Sequence, residues 1–429
     1  MSRIRREIGA IALPAIISNI TTPLLAMVDV AIVGHIGSAV YIAAVAIGSS
    51  IFNMLYWLFG FLRMGASGMT AQAYGAADNR LIATILHRSL AVGLLMGLLL
   101  IAISSPVCSL MLGFMDADAE TLPAARSYFL IAISGAPATL GSYALSGWFI
   151  GMQDSRSPMW MSLVTNVVNI IVSLTAVFGF GMRIEGIAVG SAVAQWTGFI
   201  FGLIVALRRY RPARPDFGAI VEWSGLKRFF SVNADIFLRT LCLVAVTVWF
   251  TRSGSVQGTE ILAANTLLLQ LFLFFSYFMD GFAFSGEALA GKYLGQGDRS
   301  SLARLISALT RIGVVMALAF GAVYFIFGPE ILSLLTDDTK VLGISNSYLL
   351  WAVAVPLAGT YAFIWDGLLI GLTRTRLMLL SMLVATTVFF SVCAVARPVM
   401  GNHGLWLAFV IYLAIRGIGE RLLYRFRPT

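Results

Sequence analysis

Gly151-Met152-Gln153-Asp154-Ser155-Arg156 and Gly371-Leu372-Thr373-Arg374-Thr375-Arg376 share the form G-x-x-x-[ST]-R and lie 220 residues apart. Apolar stretches flank both, at 122–150 and 158–180 around the first and at 340–370 and 376–398 around the second. Each flank has the length of a membrane-crossing helix, which needs about 20 mostly apolar residues. The offset recurs. Ser127-Tyr128 matches Ser347-Tyr348, and Gly75 and Asp78 match Gly295 and Asp298. Each pattern also has a local reading, because Gly ends helices and Asp caps them. Three patterns at one offset point instead to a duplicated chain.

Outward from these motifs the whole composition agrees. The chain has 429 residues, of which 59% are hydrophobic and 11% charged, and its mean hydropathy is +0.89. Soluble domains run roughly half apolar and about a quarter charged. The expected class is an all-α integral membrane protein. Helices are predicted near 7–34, 43–68, 81–105, 122–150, 158–180 and 185–207. A second set is predicted near 226–252, 260–288, 302–327, 340–370, 376–398 and 403–425. These twelve spans form two six-helix bundles, 1–207 and 226–429, joined by a basic linker at 208–225. An even number of spans gives both halves one orientation, so a pseudo-twofold axis along the membrane normal is expected. Transporters with such repeats place the substrate path between halves and work by alternating access.

Charge sets the orientation. On the side shared by the termini 22 Lys and Arg fall, against 5 on the other, with Arg63 and Arg239 inside spans. The positive-inside rule places both termini in the cytoplasm. The net charge of +9 therefore reports basic cytoplasmic loops, and no nucleic-acid partner is expected. Asp29, Pro14 and Pro23 interrupt the first apolar stretch, which reads as a retained helix rather than a signal peptide. Cys108, Cys242 and Cys393 form no CxxC pair, and the three histidines (His35, His87 and His403) have no metal-ligand spacing. HExxH, GxSxG and P-loop motifs do not occur in the sequence, which argues against an intramembrane enzyme.

Ionisable residues inside spans are costly and usually face partners or water. Asp29 follows Pro23 by six residues. A proline removes a backbone donor and bends its helix, so a hinge is expected around Asn19 to Pro23 beside a carboxylate able to switch charge. Asn166, Asn169 and Ser173 share a face of the fifth span, and Ser191 and Gln195 a face of the sixth. They read either as the lining of a polar site with Asp29 or as helix–helix glue. In the second half Arg239, Asp280, Glu287 and Asp366 lie within spans. Arg239 is expected to neutralise one of these carboxylates, either near a central cavity or as a buried structural pair. Asp235 is expected at an interface, and Arg63 fits either role.

The stretch Leu13-Pro14 … Asn19 … Pro23-Leu24-Leu25 … Val28-Asp29 … Gly34-His35 resembles the first helix of multidrug and toxic compound extrusion (MATE) transporters. Phe61-Leu62-Arg63-Met64, Asp280-Gly281-Phe282-Ala283 and Asp366-Gly367 resemble the DNA-damage-inducible F branch of that family. The resemblance runs over nearly the whole chain. It implies a cation-coupled exporter of amphipathic, often cationic, organic compounds, with Asp29 in the place of the coupling residue. It also aligns Asn169 with the family's Asn in the fifth helix and Ser191 with its Thr in the sixth. Where the branch often has a second Asp, this chain has Ser173. One carboxylate fewer favours a proton over sodium as the coupling ion, with sodium kept as the alternative. No cofactor is implied. A monomer in a bacterial-type cytoplasmic membrane is expected.

The nearest rival is a flippase for lipid-linked saccharides, which would need cationic groups such as Arg63 and Arg239 to bind a diphosphate. A channel is the other, and the duplicated halves argue against it.

Overall fold

The computed structural model describes residues 3–34, 39–114 and 120–426. Those residues are almost wholly helical, with no strand among them. The principal helices are α1 (Arg3–Gly34), α2 (Val40–Gly75), α3 (Asn79–Ala102), α4 (Leu122–Gly151), α5 (Arg156–Gly179) and α6 (Ile184–Tyr210). They continue with α7 (Trp223–Val256), α8 (Thr259–Gly295), α9 (Arg299–Ser333), α10 (Thr339–Gly371), α11 (Thr375–Met400) and α12 (Asn402–Phe426). Ten of these twelve, α2 to α11, are long and apolar enough to cross a bilayer among the described residues. Helix α12 is long enough but carries Arg416, Glu420 and Arg421. Helix α1 is continuous from Arg3 to Gly34. The side chains of residues 22–27 fall outside the described set, and the expected Pro23 hinge lies there. His35 is likewise outside it.

The chain divides into two compact units, Leu13–Phe230 and Met1–Ala12 with Ser231–Thr429. The expected division was 1–207, 208–225 and 226–429. The linker belongs with the first unit because its groups are tied there. Arg80 pairs with Asp216 at 2.7 Å, Arg88 donates to the carbonyls of Ala219 and Ile220, and Phe229 is buried in the core. The start of α1 belongs with the second unit for a similar reason. Tyr293 and Lys292 of α8 bind the Glu7 carboxylate, and Ser285 donates to the carbonyl of Ile8, which is buried.

Each unit repeats the other's internal construction. After α4, Asp154 N–H bonds the Phe149 carbonyl and Gln153 N–H bonds that of Ile150. After α10, Arg374 N–H bonds the Leu369 carbonyl and Thr373 N–H bonds that of Ile370. Both are Schellman turns. Gln153 (φ 66°) and Thr373 (φ 51°) occupy their left-handed positions. The glycines of the quoted motifs have a packing role. A Cβ on Gly151 would fall 2.7 Å from the Ser67 carbonyl oxygen, and one on Gly371 2.3 Å from that of Glu287. Gly147 against Arg63 and Gly367 against Ala283 repeat the contact one turn earlier. Small residues at such crossings let backbones approach where no hydrophobic effect drives helices together. Asp78 and Asp298 cap α3 and α9, each accepting from a backbone N–H at 2.9 Å.

Outward faces are apolar, as lipid requires. Leu95, Leu98, Ile171, Phe178, Val315, Leu318, Val384 and Val395 are all exposed. Inside the first unit Phe52 stacks on Phe129, and Trp148 donates to the Ile82 carbonyl. Inside the second, Phe250, Trp406 and Phe409 interlock.

Candidate functional site

Helices α5 and α6 approach closely because Gly190 has no side chain: a Cβ there would lie 2.1 Å from Ser173 Oγ. The approach lets Asn169 Nδ2 donate to Ser191 Oγ at 3.1 Å, while Ser173 Oγ donates to Asn169 Oδ1 at 3.4 Å. Asn169 and Ser173 are buried. Three of the expected residues therefore form one neutral hydrogen-bonded chain. Asn166 points elsewhere, donating to the Thr21 carbonyl of α1 at 3.4 Å. Gln195 packs against Gly135 of α4, with its Oε1 buried and without a donor.

Asp29 lies half-buried on α1, and its Oδ1 is shut off from solvent with no hydrogen-bond donor. Tyr128 of α4 joins this group without having been expected there. Its hydroxyl lies beside those of Ser49 and Ser191 and within electrostatic reach of Asp29. Gly48 makes room for its ring, since a Cβ there would fall 2.3 Å from a ring carbon. Tyr128 was visible in the sequence only as half of the repeated Ser-Tyr pair. Arg63 sits half-buried on α2, its carbonyl against Gly147 and its charge within reach of Tyr143.

The second unit is organised differently. Arg239 of α7 and Arg416 of α12 both donate to Asp366 Oδ2 of α10. Glu420 lies one helical turn beyond Arg416. Exposures are 6% for Arg239 and Asp366, 4% for Arg416 and 0% for Glu420. Arg239 does neutralise a carboxylate, and the carboxylate is Asp366. Arg416 and Glu420 are additions to the expected set. Their spacing of four inside the last span, Arg416 to Glu420, was the available signal. Arg416 is one of the 22 basic residues expected on the side of the termini and is instead buried in this cluster. Asp280 is half-buried and Glu287 buried on α8, with the Glu287 carbonyl against Gly371. Asp235 accepts from Thr375 Oγ1 at 2.8 Å.

One acidic residue outside the spans is well built. Asp154 accepts from Arg156 N, Ser157 N, Ser157 Oγ, Arg209 and Tyr210 Oη. Burial opposes its charge, but Ser157, Tyr210 and Arg209 together hold the carboxyl below the usual range. It pins the end of α6 to the α4–α5 turn. Among the described residues no three His, Cys, Asp or Glu converge as a metal cluster would.

Two homologous units of membrane helices, each with a polar interior, define a polytopic membrane transporter. Residues 14–175 and 235–395 match the MatE family model, with one match in each unit. The chain belongs to the MatE family, whose members are transporters rather than enzymes. It is 36% identical over 418 residues to the DNA damage-inducible protein F of Escherichia coli, covering 97% of this chain and 91% of that one. It is 22% identical over 443 residues to the probable multidrug resistance protein NorM of Thermotoga maritima, covering 98% and 92%. Its fold matches the Vibrio cholerae MATE transporter VcmN in the bent form with a TM-score of 0.87 at 18% identity, over 99% of this chain and 97% of that one.

Proposed function

We propose that this protein is a cation-coupled antiporter that exports amphipathic or cationic organic compounds, with a proton on Asp29 as the coupling event. The observation that carries the reading is the Asp29 carboxylate, whose Oδ1 is buried without a donor near the Tyr128 hydroxyl. An ionised carboxylate held that way is expensive in a bilayer, and a bound proton or a bound cationic substrate relieves the cost by different routes. Competition between the two is the basis of exchange. Tyr128, Ser191 and Asn169 form the polar surface against which the carboxyl changes its hydrogen bonding.

Entry of a proton down the field supplies roughly 2.3 kcal/mol per 100 mV, which drives uphill export. Relatives named for multidrug resistance support the substrate class. A cytoplasmic-membrane location with both termini inside follows from the basic loops, and it stands without Arg416. A monomer suffices for the scheme, because both units come from one chain. Sodium remains the alternative coupling ion. The lipid-linked saccharide flippase loses support because Arg239 is committed to Asp366 inside the second unit and is not free for a diphosphate.

The test is substrate-driven proton movement in proteoliposomes, wild type beside Asp29→Asn, with and without sodium. Sodium-independent flux triggered by organic cations and lost in the variant is expected. Full gradient-driven export by Asp29→Asn would sink the scheme, and transport driven only by a sodium gradient would replace the proton with sodium.

A further inference from the structure

The charged cluster of the second unit crowds its donors on one oxygen and leaves three others bare. Both arginines donate to the same atom of Asp366, Oδ2, and Oδ1 is buried with no donor. Glu420 is 0% exposed, and both its oxygens also lack a donor. Its carboxyl lies within side-chain hydrogen-bonding reach of Asp366. Two acidic groups that approach this closely in a dry interior repel when both are ionised, and buried acceptors without donors are rare in folded proteins.

The neighbouring donors do not reach these oxygens: Arg239 Nε, Arg416 Nε and the Trp365 indole N–H are buried as well and meet no acceptor. Helix α7 contributes Arg239, and α10 contributes Asp366. Helix α12 itself contributes Arg416 and Tyr412, and the Tyr412 hydroxyl is spent on the Met382 sulfur of α11. Ser381 of α11 donates to the Arg416 carbonyl. A proton on one Glu420 oxygen supplies Asp366 Oδ1 with a donor and removes the repulsion between the two carboxylates.

We infer that Glu420 is a protonated carboxylic acid that donates to Asp366 Oδ1, and that this proton is resident rather than transported. The cluster then holds two arginines, one carboxylate and one neutral acid, a fixed positive centre inside the second unit. Full burial of Glu420 and the Asp366 carboxylate beside it keep the proton in place through the transport cycle, against the pull of the two arginines. The inference stands on the second unit alone and does not depend on the role of Asp29.

Infrared spectroscopy of the full-length protein in lipid nanodiscs tests it. A protonated-carboxyl C=O band is expected at neutral pH that shifts on isotope labelling of glutamate, persists in Asp29→Asn and is absent from Glu420→Gln. Glu420→Gln is expected to unfold within a few degrees of wild type, because its amide donates to the same oxygen. Glu420→Leu, which has no donor, should unfold several degrees lower. Substrate-driven proton release from Glu420→Gln should match wild type. The assignment is overturned by a wild-type spectrum with no glutamate-dependent carboxyl band, or by a Gln variant as unstable as the Leu variant. Loss of proton release in Glu420→Gln would show that the proton is transported and would overturn its resident role.

Discussion

Where the first unit carries Asn169, Ser173, Ser191 and Gln195, the 220-residue offset brings Phe389, Cys393, Ile411 and Ile415 into the second. Phe389 and Cys393 are core residues there, with Ile415 packed beside them. The reverse comparison is as sharp. The partners of Arg239, Asp366, Arg416 and Glu420 in the first unit are Asn19, Ser146, Trp196 and Ile200. One repeat has thus kept its turns, caps and glycine crossings in both copies and exchanged its polar interiors. The first unit keeps a carboxylate oxygen without a donor and away from arginines, and the second keeps a carboxylate paired with two arginines. A lone ionisable group can change state cheaply, whereas a paired cluster resists change because breaking it strands a buried charge. On the proposed coupling through Asp29, the group that changes state belongs to the first unit and the fixed charges to the second.

The comparison breaks most visibly at Asp29. Asp29→Asn is expected to reduce gradient-driven export to background while leaving the thermal midpoint unchanged or raised, as transport assays and unfolding in detergent would show together. An equal loss of stability would mean that Asp29 is a structural partner like Asp366. The counterpart in the second unit is Arg416→Met, which strands half of the Asp366 pairing. A loss of about 3–5 kcal/mol is expected, and a near-neutral result would show that the cluster is not holding the unit together.

Gly190→Ala sharpens the first-unit side. A methyl group there meets Ser173 Oγ and backbone, so α5 and α6 must separate at a cost of about 1–3 kcal/mol. Export should fall with it, because the Asn169–Ser191 bond depends on that spacing. Wild-type export with an intact midpoint would remove this hydrogen-bonded chain from the mechanism.

The smallest expected effect concerns Asp154, at 8% exposure. Its folded carboxyl titrates below the usual value, so its contribution is fully present above the unfolded carboxyl range and is lost as pH falls through the folded value. Asp154→Asn should cost about 1–2 kcal/mol at neutral pH, and the gap to wild type should close in acid. A gap that does not change with pH would assign the effect to hydrogen-bond geometry alone. The equivalent turn in the second unit has Arg374 at this position and no carboxylate cap, so substitution there should show no such pH dependence.

Much of the fold was legible because membrane insertion writes it into one dimension. Apolar stretches of spanning length must be helices, and the repeated Gly-x-x-x-[ST]-Arg motif is a helix ending whose hydrogen bonds are local. The helix starts of α3 and α9 could be read from Asp78 and Asp298 for the same reason. Asp29, Asn169 and Ser191 were legible as polar residues in apolar surroundings. The choice between polar site and helix glue for Asn166 and Gln195 was not, because the period of a helix gives a face and not the neighbour opposite it.

The sequence by itself determined the membrane class, the helices and the duplication, all of which depend on composition and on contacts close along the chain. Only the tertiary structure decided who meets whom. Arg239, Asp366 and Arg416 are separated by 127 and 50 residues, and no local pattern reports a pairing over such distances. The same holds for Tyr128 beside Ser191 and for the linker, which Arg80 and Arg88 tie to the first unit. Long-range electrostatic pairing is set by how helices pack, and the sequence does not print it.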